Sequence, residues 1–282
     1  DTGAKVKKAS GSRAESDNED LDLMLEEYTK SLEEKGKVVM SDDIVPSPRV
    51  NGSFVVNPLN DSEGILFGGE YRDGEKMYYY SDLFKYNFDK MTWKKVTSQT
   101  CPKPRSSHQM AACPNGKLVI FGGEFGTPTD TKFLHHRDCW LLDPKTMSWE
   151  LLEGTIPPPR SGHRMTTWRS LVVMFGGFYD DGRQTKYLDD LWIMDSKSFV
   201  WTKVQVKGEK PTARSGFVFA PCEDGIILYG GYHVARDAKG VDDGKCMNDM
   251  WLLKLGKGEE SEPPHWERLK YSPAMPLKSG LS

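Results

Sequence analysis

The sequence has no two cysteines placed two residues apart. Its five, Cys101, Cys113, Cys139, Cys222 and Cys246, are odd in number and scattered. A structural zinc site and a disulfide framework are therefore not expected, and a reducing compartment is: the cytoplasm, with the nucleus as second option. No apolar run reaches the roughly 18 residues of a membrane-spanning helix. The opening residues hold no basic stretch followed by an apolar one, so no secretory signal is read there. The tripeptides Asn51-Gly52-Ser53 and Asn60-Asp61-Ser62 then count for little as glycosylation acceptors. One-sided charge is lacking too. Against 41 acidic residues stand 38 Lys and Arg, a net charge of −3, which argues against a general binder of nucleic acid or membrane surfaces.

What is present is a repeat. The 282 residues include 27 Gly, 17 Pro, 8 Trp and 11 Tyr, a composition that suits many short strands and turns. Glycine pairs stand at Gly68-Gly69, Gly122-Gly123, Gly176-Gly177 and Gly230-Gly231, each 54 residues after the last. Each follows a short apolar run. Upstream of each pair lies Arg49, Arg105, Arg160 or Arg214. Downstream come Asp82-Leu83-Phe84, Asp138-Cys139-Trp140, Asp190-Leu191-Trp192 and Asp249-Met250-Trp251, and each unit closes on a tryptophan: Trp93, Trp149, Trp201 and Trp266.

Each unit reads as four strands, here called a to d. In the second unit these are Ser107 to Cys113, Lys117 to Phe121, Cys139 to Leu142 and Ser148 to Leu152, with turns at Pro114-Asn115-Gly116 and Asp143-Pro144-Lys145. The glycine pairs suit a positive φ and a close backbone approach. They are not phosphate loops: the G-x-x-x-x-G-K-[ST] pattern is missing, and Glu70 and Glu124 follow directly. The closing tryptophans are expected to fill space between units.

The order Pro-x-Arg-Ser-Gly-His, Phe-Gly-Gly, Asp-Leu-Trp and Trp, over roughly residues 14 to 282, resembles the kelch-repeat family. The resemblance implies an all-β, kelch-type β-propeller of six blades and a non-enzymatic, protein-binding role. Four complete blades are expected, at about residues 46–98, 99–154, 155–207 and 208–271, within a propeller region of 46–282. Pro276 to Gly280 reads as the start of a fifth, over 272–282, with Lys278 where the other units have Arg. The chain is thus expected to carry part of a ring, because an open arc of four blades leaves apolar faces at both ends.

Residues 1–45 differ, with seven Lys and Arg against twelve Asp and Glu. Residues 1–16 read as a disordered tail. Residues 17–45 read as an acidic amphipathic helix and linker, with Leu21, Leu25, Tyr28 and Leu32 on one stripe and Gly36 as its stop. The stripe could pack on the propeller or dock on a partner. Lys37 to Met40 is expected to be an extra strand closing the ring against the last blade.

With four antiparallel strands, the b–c and d–a connections share one face. The b–c segments run 70–81, 124–137, 178–189 and 232–248, 12 to 17 residues each, a length that is usually functional or disordered. They carry Tyr79, Tyr80, Phe125, Phe133, His135, Tyr179, Tyr187, Tyr232 and His233, residue types that enrich the centres of interfaces. Arg49, Arg105, Arg160 and Arg214 should ring the channel mouth on that face. They either capture an acidic peptide or terminal carboxylate or are tied structurally to carboxylates and carbonyls of the next blade; their regular recurrence favours the second.

No catalytic set, metal site or cofactor is expected. His108 and His163 share one repeat position with Asn51 or Ser53 and Phe217, which reads as packing; adjacent His135 and His136 lack a third ligand. The sequence thus points to a scaffold that binds another protein or protein complex through its b–c face, with no membrane and no direct nucleic-acid ligand. A substrate receptor of a ubiquitin ligase is the alternative, and an assembly factor in a protein or ribonucleoprotein complex the second.

Overall fold

A computed structural model describes residues 38–127, 133–182, 184–236, 242–256 and 263–270, together with Leu23. Over the described stretches from residue 38 onward, every regular element is a strand. The tail, the expected helix over 17–36 apart from Leu23, and the start of a fifth unit lie outside the described residues.

Four antiparallel sheets follow the repeat. The first blade is Ser53–Asn57, Asn60–Phe67, Leu83–Asn87 and Thr92–Thr97. The second is Gln109–Ala112, Leu118–Phe121, Cys139–Asp143 and Ser148–Leu151. The third is Arg164–Trp168, Leu171–Phe175, Leu191–Asp195 and Trp201–Val204, and the fourth Val218–Cys222, Gly225–Tyr229, Met250–Lys254 and His265–Leu269. In every blade strand a sits at one edge, and in the second, third and fourth strand d sits at the other. Neighbouring blades approach through their a strands, which therefore surround the channel.

The expected closing strand is placed differently. Val39–Asp42 pairs antiparallel with the outer strand of the first blade, from Val39 opposite Thr97 to Asp42 opposite Lys94. It is a fifth strand on the outside of blade one, fastened by an ion pair of 2.7 Å between Lys94 Nζ and Asp42. The free N–H and C=O groups of that edge strand are the template it satisfies.

Alternation along each strand builds the core between blades. Leu118 and Ile120 pack towards the first blade, onto Ile65, Phe67 and Leu83. Val119 and Phe121 pack towards the third, onto Met165, Val172, Met174 and Trp201. With both faces covered, all four residues of Leu118–Phe121 are fully buried. The closing tryptophans sit at equivalent places: Trp149 lies on Phe67 (5.2 Å between ring centroids), Trp201 on Phe121 (6.1 Å) and Trp266 on Phe175 (5.1 Å). Among the described residues Trp93 stacks only within its own blade, on Phe54, Phe84 and Tyr86.

The glycine pair is where consecutive blades touch. Gly122 and Gly123 have φ of 69° and 94°. A Cβ at Gly122 would stand 2.6 Å from Arg160 O, and one at Gly123 would stand 2.6 Å from Ser106 O, so only glycine fits. The Gly123 N–H donates to Arg160 O of the next blade, as Gly69 does to Arg105 O and Gly177 to Arg214 O. A second line of bonds runs round the channel mouth: Ser107 N–H to Asn51 O, Gly162 N–H to Ser107 O, and Gly216 N–H to Gly162 O.

The packing has a measurable consequence. Trp201→Ala should lower unfolding free energy in denaturant melts by about 3–5 kcal/mol, and Trp93→Ala by clearly less. Equal losses would show that contact across blades is not what holds these rings.

Candidate interaction face

The b–c segments are folded rather than loose. Glu70–Asp73 pairs with Lys76–Tyr79, Glu124–Gly126 with Phe133–His135, Phe178–Asp180 with Thr185–Tyr187, and Tyr232–Arg236 with Asp242–Cys246. Each is a two-stranded hairpin standing on the face, anchored at its base by single bridges such as Ser106 to Glu124 and Ser161 to Phe178. Consecutive hairpins touch through aromatic pairs: Tyr79 on Phe125 (5.2 Å), His135 on Tyr179 (5.1 Å) and Tyr187 on His233 (4.7 Å). The four hairpins thus form a collar.

This geometry sorts the expected site residues. Tyr79 and His135 are buried between hairpins. Phe125, Tyr187, Tyr232 and His233 are half-buried, and Tyr80 lies under the Arg49 guanidinium at 4.2 Å. Phe133 and Tyr179 are 44% and 36% exposed, and Tyr71 and Tyr78, directly opposite each other on the first hairpin, are 39% and 45% exposed. These four rings are the aromatic surface the collar presents. His136 is turned away from the face, with Nε2 3.1 Å from Pro104 O. Among the described residues no three His, Cys, Asp or Glu are grouped to hold a metal.

The arginine ring requires a correction. Arg105, Arg160 and Arg214 have no exposed surface, so they cannot meet a ligand at the channel mouth. Arg105 grips both oxygens of Asp138 at 2.8 and 2.7 Å and also donates to Gly122 O. Arg160 does the same with Asp190 and Gly176 O, and Arg214 with Asp249 and Gly230 O. These partners belong to the arginine's own blade, not the next one. The indole N–H two residues after each Asp, from Trp140, Trp192 or Trp251, donates to the same carboxylate. Burial alone would raise the pKa of Asp138, but the Arg105 charge and hydrogen bonds hold it well below the usual carboxylate range. Asp190 and Asp249 are lowered likewise against burial by Arg160 and Arg214. In the first blade the pair is looser: Arg49 reaches Asp82 at 3.4 Å, and Lys95 shares that carboxylate at 2.6 Å.

The repeat position of His108, His163 and Phe217 is a packing position, and in the first blade it is held by Gly52, not Asn51 or Ser53. Strand pairing sets this register, since Ser53, Gln109, Arg164 and Val218 stand opposite equivalent residues of strand b. His108 packs edge-on to Phe67, His163 to Phe121 and Phe217 on Phe175. His108 also bonds Ser53 Oγ at 2.7 Å, whereas neither ring nitrogen of His163 has a hydrogen-bond partner among the described residues. Burial, then the Arg105 charge, pushes His108 and His136 down to about 3; burial, then Arg160 and Arg164, holds His163 well below its usual value. Where the a strands converge lies a cavity of about 310 Å³, lined by Phe54, Gln109, Met110, Arg164 and Phe219 among others. Gln109 and Arg164 were not singled out from the sequence. The signal was available in the polar residue that follows the His position in two units.

The comparisons with known proteins agree with this architecture. The KLHDC2/KLHL20/DRC7 Kelch-repeats domain matches residues 11–231 and 154–279. The alpha chain of flagellar outer-arm dynein from Chlamydomonas reinhardtii is 28% identical over 236 residues, 78% of this chain and 5% of that protein. Kelch domain-containing protein 2 from Bos taurus is 23% identical over 235 residues, 72% of this chain and 54% of that protein. The chain therefore spans about half, or far less, of the length of these curated relatives. The solved structure of YjhT aligns with a TM-score of 0.61 at 16% identity, over 78% of this chain and 70% of that one, and shares the fold.

Two outcomes test the buried polar groups. Arg160→Met should cost about 3–5 kcal/mol by stranding Asp190, and the double change with Asp190→Leu should recover part of it; a neutral single variant would show that the pair carries no stability. Unfolded histidine titrates near 6.5, while His108, His135, His136 and His163 stay neutral well below that when folded. The unfolded chain therefore binds more protons below pH 6.5, and stability should fall with pH there, by about 1.4 kcal/mol per unit for each such histidine. His163→Phe, the residue type its equivalent Phe217 carries, should raise stability at pH 7 and lower the slope by one proton. An unchanged slope would show that His163 is not buried neutral.

Proposed function

The chain belongs to the kelch-repeat family, whose propellers are protein-interaction domains, and from that premise we propose that it is a non-enzymatic scaffold binding a partner protein through the hairpin collar. The observation that carries this reading is the contrast within the collar. Tyr79, His135 and Tyr187 are spent on locking one hairpin to the next, while Tyr71, Tyr78, Phe133 and Tyr179 remain exposed on that fixed frame. Rigid aromatics with little rotamer entropy to lose are favourable anchors. The opposite side offers short turns such as Asp143 to Met147, closed on themselves by Met147 N–H to Asp143 O. Within the family, the sequence strings 47–58 with 65–76, 119–128, 160–168 with 172–178, and 228–232 with 241–253 resemble kelch domain-containing protein 4, and we propose that affiliation.

Affinity purification with the intact chain, followed by titration of the recovered partner, tests the face. Truncating Tyr71, Tyr78, Phe133 or Tyr179 to Ser at a central contact should weaken binding by about 2 kcal/mol or more, roughly thirtyfold, with the melting temperature unchanged for the first three and lowered for Tyr179, which also stacks on His135. Lys145→Ala on the opposite turn should bind as the parent does. If the turn variant loses the partner and the four aromatic variants keep it, the face is wrongly assigned.

A further inference from the structure

The collar repeats one bridge. At the base of its second strand, each of the first three hairpins places a ring that reaches the next blade: Tyr79, His135 and Tyr187, opposite Glu70, Glu124 and Phe178 in register. In the third hairpin this ring is a tyrosine. Its hydroxyl lies beside Ser215 and the main chain of Val234, and the ring stacks on His233. In the second hairpin the same place is taken by His135. Its Nδ1 lies 2.7 Å from Ser161 Oγ, Nε2 accepts the Asp180 N–H at 3.0 Å, and the ring stacks on Tyr179. Ser161 and Ser215 are equivalent in the repeat, as are Asp180 and Val234. The bridge is one device built twice, once with a ring that does not titrate below pH 10 and once with one that does.

We propose that His135 is an acid-sensitive latch between the second and third rim hairpins, closed when neutral and opened by protonation. Accepting the Asp180 N–H requires a bare Nε2, so the proton sits on Nδ1 and donates to Ser161. A second proton, at Nε2, would confront the Asp180 N–H with another N–H and abolish the bond. The groups facing the ring are few. From the third hairpin come the Asp180 carboxylate, engaged by Thr185 Oγ1 and the Gly182 N–H, and the Tyr179 ring. From the segment beneath come Ser161 and Arg160, whose guanidinium is bound to Asp190. Its own hairpin supplies Glu124 across the register and His136, which is turned to Pro104 O. Burial lowers the affinity of His135 for the second proton, and Asp180 only partly offsets this. Closure therefore favours the neutral ring and opening the charged one. The latch joins the hairpin bearing Phe133 to the one bearing Tyr179, so its state sets how two of the exposed rings stand to each other.

The test needs no partner. Amide hydrogen exchange of the intact chain, corrected for intrinsic rate, is followed at Asp180 and at Val234 between pH 7 and 5. The opening constant at Asp180 should rise about tenfold per pH unit below about 6.5, while Val234, held by Tyr187, stays level. In His135→Tyr, the Asp180 amide should become level as well. A level Asp180 in the parent chain, an equal slope at Val234, or an undiminished slope in His135→Tyr would each overturn the latch. The comparison of the two amides in the parent chain stands even if the variant fails to fold.

Discussion

One arginine per blade joins the architecture together. In the second, third and fourth blades its main-chain carbonyl accepts the N–H of the second glycine of the preceding blade, and its side chain grips the aspartate and the first-glycine carbonyl of its own. In the second blade these are Gly69 N–H to Arg105 O, then Arg105 to Asp138 and Gly122 O. The same residue is therefore a backbone link between sheets and an ionic link between strands a, b and c of one sheet. Taking a guanidinium fully and its carboxylate mostly out of water is costly. Bidentate geometry and a third donor, the indole N–H of Trp140 or its equivalents, make the burial tolerable. Every other regularity sits on this link. The glycine pair must lack Cβ atoms for the carbonyl to approach, and the aromatic ends of strand b are brought under the next blade's tryptophan.

The collar shows how a repeated frame carries unlike residues. The structural positions keep their chemistry because their partners are also repeated, as with Arg and Asp. The rim positions vary because each hairpin meets only its neighbours. Tyr79, His135 and Tyr187 perform one task with different rings, and Cys246, at the same place in the fourth hairpin, is exposed. Short strands of three to five residues would not hold alone in water. Here their bases are continuous with the core and their flanks are stacked.

Much of the fold was legible before any coordinates. The 54-residue spacing of the glycine pairs, with Pro114-Asn115-Gly116 and Asp143-Pro144-Lys145 as turns, marks the four strands of the second unit to within two residues. Local chemistry sufficed there, because Gly and Pro restrict the backbone wherever they stand. The rest depends on partners distant in sequence. The hairpins within the b–c segments were not legible, since Glu124–Gly126 has little strand propensity and is held by a bridge to Ser106. Lys37 to Met40 was read as a strand and the strand runs over Val39–Asp42, but which edge it joins is a question of three dimensions. The arginines illustrate the limit best: recurrence marked them as structural, yet only the geometry shows that Arg160 turns to Asp190 of its own blade.

The bonds that pass from Gly216 to Gly162, Ser107 and Asn51 all run in the same rotational sense. Their peptide dipoles are laid end to end around the axis and not along it. A helix terminus aims its N–H groups at whatever sits before it and so carries a fixed partial charge. A circulating row aims each at the next and presents none. These three links therefore aim none of their own N–H groups at an occupant of the channel mouth, whose polar lining includes the side chains of Gln109 and Arg164. Replacing Arg164 would change the charge of that opening and would also remove its Nε–H donor to Phe217 O, a bond between the third and fourth blades.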